Sequence, residues 1–322
     1  MSITCYRIKY FWFTKNYQSY FLFLSHHSTI IYLSAIIYYL SLPFIYLLSV
    51  LPFPLLYFFS DGLYLLLYFG IGYRKKIVFT NLKNAFPDKT DEEITSIHKK
   101  FYRYFCDLFL ETFKTLSISR QQMLKHCTLS DDAAKLFSQL AAENKSLIIV
   151  MGHHGNWEWA GNTFSLCCKH QLYVIYHPLG NTYFNGLICK MRERFGTRLI
   201  PMKDTFREMI KNKDELNATA FIADQSPNPA NAHWMNFLNQ DTPVFFGTEK
   251  IAQKIKYPVV FVSVKKLTRG YYSLHAELLQ EPPYTGIEGN ITESHTRKLE
   301  AKIIAQPETW LWTHKRWKHK RL

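Results

Sequence analysis

Ser146-Leu-Ile-Ile-Val-Met-Gly-His-His-Gly-Asn-Trp-Glu-Trp159 is the stretch on which the fold turns. Ser146 to Met151 is a short, unbroken apolar run rich in branched side chains, which suits a strand buried on both faces of a sheet. It stops at Gly152, and the chain from Trp157 to Cys168 reads as a helix. The same alternation continues downstream. Leu172–Tyr176, Arg198–Pro201 and Ala218–Ala223 read as strands, with helical Phe184–Phe195 and Thr205–Lys211 between them. Val259–Lys265 and Tyr271–Glu277 read as a later strand pair. Strands alternating with helices predict an α/β domain around a mostly parallel sheet. Upstream, 77–126 reads as mostly helical. Thr90 serves as an N-cap before Asp91, Glu92 and Glu93, and Ile94, Ile97, Phe101, Phe105, Leu108 and Phe109 recur at helical spacing. Asp131 and Asp132 open another helix that ends near Asn144.

The N-terminal region has a different character. Between Lys15 and Arg74 the only acidic or basic residue, His26 and His27 aside, is Asp61. A spanning helix needs about 20 apolar residues, and a helix over 28–51 meets that length. Pro43, Pro52 and Pro54 interrupt the run, so 54–72 forms a second apolar piece suited either to the membrane interface or to packing on the domain that follows. The segment is too long and bulky for a cleavable signal peptide. Arg74, Lys75 and Lys76 close it, which predicts a cytoplasmic location for the chain beyond them. The expected organisation is an extension over 1–27, an anchor and interfacial helix over 28–73, and a catalytic domain over 74–322. The six cysteines, Cys5, Cys106, Cys127, Cys167, Cys168 and Cys189, contain no C-x-x-C pair and read as core thiols in a reducing compartment. The net charge of +14 favours anionic partners: headgroups, nucleic acid or an acidic carrier protein.

Chemistry concentrates in the turn after the first strand. His153 and Glu158 have H-x4-E spacing. If the turn winds into a helix near Asn156, the carboxylate can reach back to the imidazole. The imidazole then takes a proton from a hydroxyl, and the carboxylate fixes its tautomer. His154 competes for the base role, being one turn from Glu158. The order of these residues does not match a zinc-binding H-E-x-x-H helix, so no metal is expected. Gly152 and Gly155 are expected to let the backbone approach a substrate closely.

Met151-Gly-His-His-Gly-Asn-Trp-Glu-Trp159 resembles the H-x4-D/E motif of glycerolipid-type acyltransferases, in the form seen in the late acyltransferases of lipid A synthesis. Four more stretches resemble that family in the same order: Gly72 to Pro87, Tyr176-His-Pro178 with Met191-Arg-Glu-Arg-Phe-Gly196, Ala223-Asp-Gln-Ser226, and Glu308 to Lys318. The resemblance implies a single acyltransferase domain with an N-terminal membrane helix. It implies His153 rather than His154 as general base and Glu158 as its orienting carboxylate. It implies Arg192, with Arg194 as the nearby alternative, as a phosphate or oxyanion ligand. Asp224 would be a site aspartate, and Gln225 beside it a hydrogen-bond donor. No cofactor is implied. The donor would be acyl carrier protein, and the acceptor a hydroxyl of a Kdo-bearing lipid A precursor at the cytoplasmic side of the inner membrane. A lysophospholipid or lyso-aminolipid is the alternative acceptor. Trp310, Trp312 and Trp317 beside the basic tail His314–Arg321 are expected to anchor in the interface rather than stack on nucleic acid bases. A non-catalytic adaptor binding anionic polymers is the reading of another class, and it has no need of His153, Glu158, Arg192 and Asp224 together.

Overall fold

Proline punctuates the start of the computed structural model, which describes residues 32–284 and 287–321. The expected extension over 1–27 lies outside the described residues. Helix α1 covers Tyr32–Val50, and α2 covers Phe53–Leu65, continued by a π-helical turn over Leu66–Ile71. Pro52 separates them as the N-cap of α2, whereas Pro43, expected to interrupt the run, lies within α1. Each stretch is long and apolar enough to cross a membrane by length and composition. They are seated differently. α1 bares large side chains such as Leu33, Ile37, Leu40, Phe44 and Leu47. α2 bares Leu55, Phe58, Phe59 and Leu65 but buries Leu56, Ser60 and Tyr64 against the rest of the protein.

Helices α3 (Lys75–Ala85), α4 (Asp91–Lys114) and α5 (Arg120–His126) come next, then a short strand β1 (Cys127–Leu129) and helix α6 (Asp131–Ala142). The N-cap expected at Thr90 is a complete capping box with Glu93. Alternation then runs as expected: β2 (Leu147–Met151), α7 (Trp157–Cys167), β3 (Gln171–Tyr176), α8 (Thr182–Glu193), β4 (Arg198–Pro201), α9 (Thr205–Lys211) and β5 (Asn217–Ile222). A hairpin of β6 (Ala232–Phe237) and β7 (Gln240–Phe245), helix α10 (Gly247–Ile255), strands β8 (Val259–Thr268) and β9 (Tyr271–Gln280), and helix α11 (Asn290–Ala305) complete the order.

The central sheet has seven strands in the order β1-β9-β8-β2-β5-β3-β4. Strands β8, β2, β5, β3 and β4 are parallel, whereas β9 is antiparallel to β8 and carries β1 parallel to itself. Every residue of β2 is buried. Ile148 and Val150 join Phe101 of α4 and Leu299 of α11 in one core. Leu147, Ile149 and Met151 join Phe137 of α6 and Trp159 and Phe164 of α7 in the other. Full burial of a side chain of this size is worth about 1.5–3 kcal/mol, so a polar substitution on either face of the strand is costly. The described cysteines are free thiols; Cys106 and Cys127 are buried, whereas Cys167, at the end of α7, is exposed rather than part of the core.

Candidate active site

The parallel register of β2 and β5 makes the site. Met151 pairs with Ile222, and the Ala223 amide donates to the Met151 carbonyl at 3.0 Å. His153 and Asp224 each lie two residues beyond that pair, at the carboxyl ends of neighbouring strands, where open α/β sheets place their ligands. The side chains meet. His153 Nδ1 is 2.6 Å from Asp224 Oδ1, and the His153 backbone N–H donates to Asp224 Oδ2 at 2.7 Å. Trp310 Nε1 donates to the same Oδ2 at 2.7 Å. The Asp224 side chain is 3% exposed and that of His153 17%. Burial alone would raise the Asp224 pKa, but His153 and these donors outweigh it and hold the acid down at about 2. An ionised Asp224 on Nδ1 fixes the tautomer that leaves Nε2 unprotonated. Nε2 lies 3.4 Å from Gln225 Nε2, and both residues line one pocket.

This pairing corrects the expectation that Glu158 reaches back to orient His153. Among the described residues the imidazole bonds to Asp224 and Gln225, with no hydrogen bond to Glu158. The reason is the start of α7. Asn156 caps it, its Oδ1 accepting from the Trp159 amide at 2.9 Å, so Glu158 falls in the first turn and points to α8. There it forms a two-pronged pair with Arg192, Nε to Oε2 at 2.9 Å and Nη2 to Oε1 at 2.6 Å. Trp157 Nε1 adds a longer bond of 3.3 Å to Oε1. Burial disfavours the Glu158 charge, but Arg192 overcomes it and lowers the pKa. Two of the Arg192 nitrogens are thereby engaged; Nη1 makes no hydrogen bond among the described residues. Arg194 does not share this setting: it donates to the Thr115 carbonyl.

His154, the competing base, points away from the pocket. It is 4% exposed, its Nε2 bonds Thr309 Oγ1 at 2.9 Å, its backbone forms an antiparallel bridge with Trp310, and burial lowers its pKa to about 4. It fastens the C-terminal segment to the turn. The two glycines serve the protein's own packing. A Cβ on Gly152 would stand 2.6 Å from Leu299 and 2.9 Å from Asp224, and on Gly155, whose φ is +63°, it would strike the Val264 carbonyl. The expectation for the tail is corrected. Trp310 and Trp312 are 3% and 0% exposed, packed in the core, and Trp317 Nε1 bonds Thr242 Oγ1 at 2.7 Å. The two buried rings, Trp310 and Trp312, cannot anchor in an interface or stack on bases, whereas Trp317 is half-buried at the edge of that core.

The pocket in front of His153 has a volume of about 520 Å3 and includes Trp157, Glu158, Tyr176, Ile188 and Arg192 in its lining. Ile175, Met202 and Ile222 form a wall shared with a second, smaller cavity of about 200 Å3 that ends at Phe245, Thr248 and Ile251. Among the described residues no cluster of His, Cys, Asp and Glu with metal-ligand geometry is present.

A hydrogen-bonded His–Asp pair in the wall of a pocket, on an α/β sheet with apolar N-terminal helices, can take a proton from a bound hydroxyl. The model of the bacterial lipid A biosynthesis acyltransferases matches residues 25–319, and the chain belongs to that family. Compared with curated proteins, the chain gives no match. The protein is thus an acyltransferase.

Proposed function

We propose that the protein transfers a fatty acyl chain from acyl carrier protein to a hydroxyl of a Kdo-bearing lipid A precursor, at the cytoplasmic side of the inner membrane. The observation that carries this reading is the His153–Asp224 pair, in a pocket that shares the apolar wall of Ile175, Met202 and Ile222 with a second, smaller cavity. The acceptor hydroxyl meets His153 Nε2, which takes its proton as the oxygen attacks the thioester carbonyl. Asp224 stabilises the imidazolium that results. Arg192 Nη1 and Gln225 are the donors within the pocket for the oxyanion of the tetrahedral intermediate. Its collapse breaks the carbon–sulfur bond. The imidazolium returns the proton to the departing thiolate, so an ester and a free thiol leave the site.

Charge and shape support the partners. A cleft of about 760 Å3 between α3 and the tail is lined by Lys76, Lys315, Lys318, Lys320 and Arg321, which suits an acidic carrier or anionic headgroups. The bare apolar sides of α1 and α2 suit lipid, with the domain from residue 74 onward as the catalytic part. The test is acyl transfer in detergent from labelled acyl carrier protein, comparing wild type with His153→Ala on a Kdo-lipid A precursor and on a lysophospholipid. Histidine-dependent product on the lipid A precursor is expected. Product on the lysophospholipid alone would replace the acceptor, and product that survives His153→Ala would remove the base.

A further inference from the structure

Glu111 of α4 is fully buried and lies outside the pocket, yet three elements aim hydrogen-bond donors at its carboxylate. Tyr57 Oη of α2 donates to Oε1 at 2.8 Å. Asn156 Nδ2, at the catalytic turn, and Tyr272 Oη of β9 donate to Oε2 at 2.8 and 2.7 Å. The indole Nε1 of Trp159 donates to the Glu111 backbone carbonyl at 3.0 Å. Removing a carboxylate from water costs several kcal/mol, and only such a complete set of partners makes it tolerable. An apolar residue would fill the space at lower cost, so this carboxylate calls for an explanation beyond packing.

Its neighbours supply one. Asn156 uses its amide nitrogen on Glu111 and its carbonyl oxygen to cap α7, the helix whose first turn carries Glu158. Any shift of Glu111 therefore moves the cap that fixes the turn from His153 to Trp159. Tyr57 is on the other end of the same carboxylate, and it belongs to the helix whose far side bares Leu55, Phe58 and Phe59. α2 is held to the domain by polar contacts of the same kind. Arg269 reaches Asp61 of α2 and Asp107 of α4, each at 2.7 Å, and Ser60 donates to Asp107 at 2.7 Å. Polar contacts are directional, so they fix the rotation and height of α2 more tightly than an apolar seam does.

We propose that Glu111 is a positioning residue for acyl transfer, coupling the seat of the apolar helix α2, through Tyr57 and Asn156, to the geometry of the His153–Glu158 turn. The helix that faces lipid is in this way a working part of the active site. The charge of Glu111 is finely balanced, its pKa being raised to about 7 by burial and by Asp107 against the Tyr272 and Tyr57 hydrogen bonds. Loss of one donor is enough to disturb the cluster.

The inference rests on the acyl-transfer reading, and its test carries one readout that does not. Full-length wild type, Glu111→Gln, Tyr57→Phe and the double variant are compared in detergent for kcat, KM and Tm. The rate at which diethyl pyrocarbonate modifies His153, followed by peptide mass spectrometry, is measured in parallel. A misplacement of about 1 Å costs roughly 100-fold in rate, and a partial one in Glu111→Gln is expected to lower kcat by about 10-fold or more with KM for the donor little changed. Tyr57→Phe is expected to lower kcat by about 3-fold, and the double variant to be no worse than Glu111→Gln, because residues acting as a unit are not additive. The His153 modification rate changes with kcat. A lowered Tm with unchanged kcat per folded molecule would make the cluster merely structural and overturn the proposal, as would single effects that multiply in the double variant. Should Glu111→Gln fail to fold, Tyr57→Phe decides: lowered kcat at wild-type Tm supports the coupling, and unchanged kcat overturns it. Should the wild type transfer no acyl chain, the acyl-transfer reading falls, and the His153 modification rates alone decide the coupling.

Discussion

Asp224 and Glu158 both bear on the surroundings of His153, and they are held in different ways. Asp224 is locked by the protein: a strand register, a backbone amide and the Trp310 indole fix it, and it is nearly inaccessible. Glu158 is held by one cation, Arg192, in a setting that opens onto the pocket, with 13% and 26% of the two side chains exposed. An orienting carboxylate has to be immobile, since it sets the tautomer before the substrate arrives. A carboxylate paired with an arginine in the pocket wall has a different use. It keeps the guanidinium in place and neutralises it until an anionic group competes for it. On the proposed reading, Asp224 orients the base and Glu158 presents Arg192.

Several experiments break or sharpen this contrast. The largest effect belongs to the base itself. His153→Ala is expected to lower kcat by about 100- to 10,000-fold, with a thermal midpoint close to wild type, measured in the same detergent. Arg192→Met comes next. Removing one partner of a largely buried pair costs up to about 3–5 kcal/mol, less here because the pair is partly wet, and Glu158→Gln in addition is expected to restore part of that loss in urea denaturation. A double variant that unfolds at lower urea than Arg192→Met would deny the pairing.

Asp224 contributes to the acid limb of stability. Its pKa is depressed in the fold to about 2 from an ordinary 3.8. The stability it contributes is therefore complete above about pH 4, and it is lost as pH falls towards 2. Wild type and Asp224→Asn are expected to differ in stability at pH 7 and to converge near pH 2. Parallel curves across that window would show that His153 does not hold the charge. The smallest effect concerns the second, smaller cavity behind the wall of Ile175, Met202 and Ile222. Phe245→Ala is expected to shift preference towards longer acyl chains, each methylene being worth about 10- to 200-fold at most, read from competing donors of different length. An unaltered preference would place the chain elsewhere.

The sequence made the strand–turn–helix at 146–168 legible because its signals are local: an apolar run, a glycine stop and an amphipathic continuation. Asn156 could have been found the same way, as a favoured cap just before the helix. The partner of His153 could not. H-x4-E is a spacing along the chain, whereas Asp224 lies 71 residues away and arrives through the register of two parallel strands. The hairpin β6–β7 escaped because its turn residues, Leu238 and Asn239, adopt positive φ with no glycine to announce it. Helix α11 escaped because Thr292, His295 and Thr296 occupy buried positions, so its apolar stripe is broken. The tryptophans of the tail misled by composition: Trp310 and Trp312 look like interfacial residues, but they close the core behind the site.

The central claim, that Asp224 rather than Glu158 orients the base, is tested most directly by kcat of Asp224→Asn and Glu158→Gln on one donor and one acceptor, each corrected for folded enzyme. A wrongly oriented imidazole costs about 10,000-fold where it has been isolated. The predicted loss in Asp224→Asn is at least about 10-fold greater than in Glu158→Gln. An equal loss, or a greater one in Glu158→Gln, would contradict the claim and return the orienting role to Glu158.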